Sequence, residues 1–316
     1  MKPRIFIAIH YMHLGGAETS LIGLLQALDP QKVNVDLFVY SHEGEMMKLI
    51  PDYVNLLPEN TVWSMFEKPM KEVLRRGYLR MFFARMRAKL RMRRYVMRIN
   101  PKDAAAIHGY LGEEVSRVLP NLHHLGEYDL AISFLNPHNF VLDHVLTKKK
   151  ICWIHTDYTH IDVNAELELP VWSGYDHVIS ISEDVTKTFL KVFPTLKDKI
   201  IEIENILSPD YVRQRSNLIA SAEIQKEMPV DCDCLNLLTI GRFSEAKKLE
   251  EIPAICHGIV ESGVEVRWYI IGYGGSDEYI RREIEREGMQ AHVFLLGKKS
   301  NPYPYIKACD WYVQPS

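Results

Sequence analysis

Short apolar runs, each closed by a turn and followed by a stretch with helical spacing, recur from one end of the chain to the other. No other feature limits the fold so tightly. Arg4 to His10, Val33 to Tyr40, Val54 to Leu57, Asp129 to Phe134, Lys150 to Ile154, His177 to Ile181 and Ile200 to Glu204 read as strands. Gly16 to Leu28, with Leu21, Leu24, Leu25 and Leu28 at helical spacing, reads as the first helix and ends at Asp29-Pro30. A second series opens with a strand at Leu235 to Ile240. Further strands are expected at Val264 to Ile271, His292 to Leu296 and Trp311 to Val313, and helices at Lys247 to Glu261, Asp277 to Glu287 and Tyr303 to Ala308. Strands alternating with helices build parallel sheets with right-handed crossovers. The fold class is therefore α/β, with two doubly wound parallel-sheet domains facing a cleft. The expected limits are 1–207 for the first domain, 208–233 for a linker and 234–316 for the second. The second series stops directly after a strand, which predicts that this domain is cut short.

At 316 residues the chain is long enough for two cores. Its net charge of −3 argues against nucleic acid as the partner of the whole molecule. No apolar run approaches the ~18 residues of a membrane span. The apolar start stops at His10, too soon for a signal peptide, and fits a buried strand better. The cysteines Cys152, Cys232, Cys234, Cys256 and Cys309 are odd in number and scattered, which points to reduced thiols and a cytoplasmic location. Cys232 and Cys234 have no matching pair downstream, so no metal site is expected from them.

Two turns carry the signature of phosphate handling. Gly241-Arg242-Phe243-Ser244-Glu245-Ala246-Lys247 follows the apolar run Leu235 to Ile240 directly. A ligand of an open α/β sheet sits beyond the strand ends. There Gly241 allows close backbone approach, and Arg242 and Lys247 can neutralise a diphosphate leaving group without a metal. Leu14-Gly15-Gly16-Ala17-Glu18 forms a similar turn after the first strand, although it is not a full dinucleotide fingerprint. Gly272-Tyr273-Gly274-Gly275 and Gly297 close two further strands and are candidates to line the nucleotide site. The alternative for each is a tight turn with no ligand.

Trp153-Ile154-His155-Thr156-Asp157 places polar groups at another strand end. His155 or Asp157 could take a proton or bond a sugar hydroxyl, the alternative being a structural role. His10 and His13 flank the first glycine turn and are weaker candidates. Between Lys68 and Lys102 stand 13 Lys or Arg and one acid, Glu72. Arg75, Arg76, Arg80, Arg87, Arg91 and Arg94 alternate there with Phe82, Phe83, Met86, Leu90, Met97 and Ile99. A basic amphipathic helix of this kind suits an anionic membrane surface. A polyanionic acceptor, RNA, or a solvated helical pair are the other readings.

Taken together, these motifs resemble the GT-B glycosyltransferases, specifically the retaining family 4 type. The resemblance covers most of the chain and rests on the order of six landmarks. They are His13 to Glu18, Ile179-Ser180-Ile181-Ser182-Glu183, Gly241 to Lys247, Ile270-Ile271-Gly272-Tyr273-Gly274, Phe294-Leu295-Leu296-Gly297 and Ala308 to Ser316. The resemblance implies two Rossmann-like domains. The second would bind a nucleoside-diphosphate sugar through Arg242 and Lys247, with Gly16 near its phosphates or sugar. The first would bind a polysaccharide or lipid-linked acceptor near His155. It implies a cytoplasmic enzyme, peripheral on the membrane, needing no metal and no cofactor beyond the donor substrate. The acidic motif that the family carries after the Pro-Ser step is not reached before Ser316. A sugar-nucleotide epimerase of the same architecture and a non-catalytic membrane-associated subunit are the rival readings.

Overall fold

A computed structural model describes residues 2–99, 105–159, 161–207, 209–219, 221–229 and 234–315. Lys102, Ser208, Cys232 and Ser316, each part of a segment singled out above, lie outside the described residues. The chain divides into two compact units, Met1–Leu207 and Ser208–Ser316.

The first unit is built on a parallel sheet of seven strands. They are β1 (Arg4–Ile9), β2 (Asn34–Val39), β3 (Asn55–Leu56), β4 (Tyr128–Ser133), β5 (Thr147–Ile154), β6 (His177–Ser180) and β7 (Ile200–Glu202). Their order is β3-β2-β1-β4-β5-β6-β7, so the winding reverses between β1 and β4. Ile7 pairs in register with Leu37 on one side and Ile132 on the other. A strand covered on both faces has no polar side to show, and Phe6 to Ile9 are accordingly all buried. Around Phe6, Phe38, Tyr40, Trp63, Tyr128 and Phe140 lies one core; Cys152, Trp172, Tyr175, Phe189 and Phe193 form another. Helix ends are capped by side chains where the sequence permits. Ser182 Oγ accepts from the Val185 amide (3.3 Å) and Asn164 Oδ1 from Leu167 (3.3 Å).

The second unit holds β8 (Leu235–Ile240), β9 (Val266–Ile271), β10 (Val293–Gly297) and β11 (Trp311–Tyr312) in the order β10-β9-β8-β11, again all parallel. The winding reverses between β8 and β11. Its core gathers Phe243, Leu249, Ile252, Trp268, Ile270 and Ile280.

Two expectations fail here. The segment 208–233 is not a linker throughout: Pro209–Ser216 and Ser221–Glu227 are helices of the second unit. Pro209 starts a helix, where its missing N–H costs nothing, instead of marking a turn. Ile224 and Met228, four apart, are buried and pack in one cluster with Leu238, Tyr269 and Tyr305. The helix expected from Lys247 starts only at Ile252. Two 3-10 turns, Glu245–Lys247 and Leu249–Glu251, precede it, with Lys248 between them in the left-handed region at φ +49°. Pro253 sits in the first turn of the helix and favours a start at this point. Arg242 and Lys247 are thus not cations on a helix N-terminus, and the argument drawn from an unfavourable helix dipole falls away.

Candidate functional site

The second unit brings its glycine turns together at the carboxyl ends of β8, β9 and β10. The amide of Gly241 donates to Ile271 O (3.0 Å), Phe243 N to Tyr273 O (2.9 Å) and Gly272 N to Gly297 O (3.0 Å). A side chain on Gly272 would collide with the Gly241 carbonyl and the Phe243 ring. One on Gly274, whose φ is +158°, would collide with the Phe243 backbone. Gly297 takes φ +70°. These glycines are required by close backbone approach, whatever else they do.

Arg242 and Lys247 stand on this plate. The stem of Lys247 lies against Gly241. Both side chains are exposed, and neither meets a carboxylate among the described residues. Elsewhere in the unit cations are paired: Lys299 with Glu227 (2.6 Å), Arg281 with Asp277 (2.6 Å) and Arg286 with Glu283 (2.6 Å). Tyr273 is half exposed, with the Lys298 ammonium 5.1 Å from its ring centre. The arrangement therefore presents unspent positive charge at the reversal of a parallel sheet, where ligands of such sheets bind.

Against this geometry the comparisons can be set. Residues 220–316 match the family Glycosyl transferases group 1. The second unit belongs to that family. The uncharacterized glycosyltransferase MJ1059 of Methanocaldococcus jannaschii is 23% identical over 138 residues, a match covering 44% of this chain and a third (33%) of that relative's length. The Anabaena protein HepE, solved with UDP and glucose, superposes with a TM-score of 0.60 at 16% identity, over 99% of this chain and 74% of its own. A glycosyltransferase from Rickettsia africae gives 0.60 at 12% identity, over 100% and 73%. These likenesses show the fold, that of the GT-B glycosyltransferases.

In the first unit a cavity of about 500 Å3 opens at the sheet's own reversal. His10 and Tyr11 follow β1, Leu135, Asn136 and His138 follow β4, and Trp153 to Thr156 end β5; all line it. His10 Nδ1 lies 3.0 Å from Glu67 Oε1, and its ring stacks on Tyr40 at 4.9 Å. His138 Nδ1 is 2.8 Å from Ser133 Oγ, with Trp172 edge-on at 4.5 Å. His155 lies against the Phe134 ring at 4.6 Å. Burial, which disfavours the charged imidazole, drives His138 down to about 3 and His155 down to about 4. Of the other candidates, His13 is half exposed with its Nδ1 3.8 Å from Glu45. Asp157 does not join the cavity, because its Oδ1 accepts the amide and hydroxyl of Thr159 (both 2.8 Å) and holds its own turn. Gly15 is the residue before the helix Gly16–Ala27, and a side chain there would collide with the Glu18 carboxylate. The amino end of that helix has its own anion, which weakens Gly16 as a phosphate ligand; space beside Gly16 is open.

Sequence reasoning did not single out His138, Glu67, Arg85 or Glu168. The signal available for His138 was a polar residue just past the apolar run ending at Phe134. Glu168 is buried with one oxygen unpartnered, and burial pushes its carboxyl up to about 7.

The basic segment forms the helices Met70–Arg75 and Leu79–Ile99. Part of its charge is spent internally. Arg76 pairs with Glu72 (2.6 Å), Arg87 with Glu114 (2.9 Å) and Arg91 with Glu113 and Glu114 (2.8 and 2.7 Å). Arg75, Arg80 and Arg94 are exposed and meet no carboxylate among the described residues. Leu79, Phe83, Leu90 and Met97 are half or more exposed and share one outward face of the second helix. No helix among the described residues is long and apolar enough to cross a membrane.

Proposed function

We propose that the protein is a glycosyltransferase that moves a sugar from a nucleoside diphosphate to a polysaccharide or lipid-linked acceptor in the making of a cell envelope. The observation that carries this reading is the unpartnered pair Arg242 and Lys247 above a plate of close-packed glycines. In such a reaction negative charge gathers on the departing diphosphate, and a fixed cation stabilises it more as the glycosyl bond breaks. A UDP-sugar is the first donor to try, since the Anabaena relative was solved with UDP. The second unit would hold the donor and the first the acceptor, with His155 near the reacting hydroxyl. Retention of configuration and independence of metal belong to the same proposal.

The helix Leu79–Ile99 supports a peripheral position on an anionic membrane. Its outward apolar residues Leu79, Phe83, Leu90 and Met97 are flanked by Arg80 and Arg94. A helix with this pattern lies in the plane of the interface and does not span it.

The test is turnover of a UDP-sugar with and without acceptor. Consumption that needs acceptor supports transfer. Interconversion of the donor alone would favour an epimerase, and a protein that neither binds nor consumes any of the UDP-, GDP- or ADP-sugars would sink the catalytic reading.

A further inference from the structure

The cavity of the first unit has a chemistry that the transferase reading does not explain. Three imidazoles, from the ends of three adjacent strands, line it, and each has one nitrogen satisfied and one bare. His10, His138 and His155 all leave Nε2 buried without a partner. Two of them, His10 and His138, are 7% and 1% exposed. The three lie close enough for each of the other two to bear on His138.

The hydrogen-bond network assigns the tautomers. Ser133 has one proton, and its Oγ donates toward Leu135 O at 3.5 Å. Its lone pair is then left for an Nδ1–H of His138. His155 bonds the Phe134 backbone through the nitrogen that is not orphaned, so its Nδ1 gives a proton to that carbonyl. Both rings are held neutral with the Nε2 lone pair unused. A buried acceptor left without a donor costs roughly 1–3 kcal/mol. Several in one cavity call for a ligand that brings O–H groups.

The walls narrow the class. Phe66, Trp153, Tyr158 and Trp172 supply aromatic surface. The charged groups at the cavity, Glu67 and Arg85, are of opposite sign, and Arg85 Nη1 is taken up by the carbonyls of Met65 (3.0 Å) and Lys68 (2.6 Å). No net positive charge is offered to a phosphate. Nor does any group of three His, Cys, Asp or Glu among the described residues have the arrangement to hold a metal ion. The volume falls in the ~300–1,000 Å3 range of small-molecule sites.

We infer that this cavity seats an uncharged sugar ring of the acceptor, whose hydroxyls donate to the bare Nε2 atoms of His10, His138 and His155 between aromatic walls. The role as acceptor rests on the transferase reading; the binding does not. The three nitrogens are shut off from water as the chain stands, so a wall side chain turns aside as the sugar enters.

The experiment is long-range proton–nitrogen NMR on histidine-labelled protein. In the free protein His138 and His155 should show the Nδ1–H form. Millimolar neutral methyl glycosides of glucose, galactose and mannose serve as probes, with glucose 6-phosphate and glycerol alongside. At least one neutral glycoside should move the Nε2 signals of His138 and His155, while glucose 6-phosphate and glycerol leave them in place. His155→Phe should weaken the same glycoside about tenfold as read at His138, the loss expected of one buried hydrogen bond. His155→Gln, which keeps a polar side chain, should recover part of it. An Nε2–H or charged form in the free protein, no shift with any neutral glycoside, or an equal shift with the phosphate or with glycerol would overturn the inference. UDP binding is measured in parallel by thermal shift. If UDP binds and no glycoside does, the cavity assignment alone fails; if a glycoside binds and no nucleotide does, the transferase reading fails and the cavity stands.

Discussion

The two units end their sheets in opposite electrostatic styles. At the reversal between β8 and β11, Arg242 and Lys247 stand in solvent with their charge uncompensated. At the reversal between β1 and β4, His138 and His155 are buried and kept neutral, well below the usual imidazole range. One end can meet an anion that arrives with its own water; the other suits a group that arrives with hydroxyls. The same sheet topology thus hosts two kinds of recognition, and what separates them is burial at the strand ends, not fold.

The contrast can be broken most directly at the exposed pair. Arg242→Ala and Lys247→Ala should each cut turnover on the order of a hundredfold or more, as removal of one preorganised donor at a developing charge does. Their melting temperatures should stay near that of the parent, because neither side chain holds anything in the fold. Near-normal turnover in both would remove the basis of the proposed function.

Burial in the first unit predicts a pH effect of known sign. The Glu168 carboxyl is raised from 4.5 to about 7. The folded state therefore keeps a proton that the unfolded chain has lost, and stability falls as pH rises through that window and then levels. Glu168→Gln should stabilise the protein by about 3 kcal/mol at most at pH 8. Chemical unfolding at pH 8 and pH 4 checks this: the gain should vanish at the lower pH, and a gain independent of pH would refute the burial of a charged group as its cause.

Gly272→Ala comes next. Its new methyl would strike the Gly241 carbonyl, and overpacking of this kind costs about 1–3 kcal/mol. Urea melts of the second unit, together with UDP binding, should both worsen; intact binding would mean the plate does not shape the donor site. The smallest effect on stability is expected on the outward helix face. Phe83→Glu and Leu90→Glu should change stability by no more than about 0.5 kcal/mol, yet abolish sedimentation with phosphatidylserine vesicles. Unchanged sedimentation would leave Arg80 and Arg94 without a membrane role.

The strands were legible because parallel sheets buried on both faces leave continuous apolar runs, as in Phe6 to Ile9 and Leu237 to Leu238. The start of the helix at Ile252 was not, because Leu249, Ile252 and Cys256 keep helical spacing straight through two 3-10 turns. Whether a helix begins there is settled by Lys248 and Pro253, not by the spacing. Arg242 and Lys247 could be read from a motif that is local in sequence. The histidine cavity could not, since His10, His138 and His155 meet only through the order of β1, β4 and β5. The ion pairs of Arg87 and Arg91 with Glu114 were hidden for the same reason: nothing in a charge count says that two helices will lie side by side.

The glycine plate has one more consequence. Its amides at Gly241, Phe243 and Gly272 already end on neighbouring carbonyls, so the main chain has few free protons to lend an incoming diphosphate. The grip then falls to two mobile side chains in open water, where dissolved ions compete within a Debye length of about 8–10 Å. Hold on the donor should therefore loosen with rising ionic strength more steeply than in a protein that wraps phosphate in backbone.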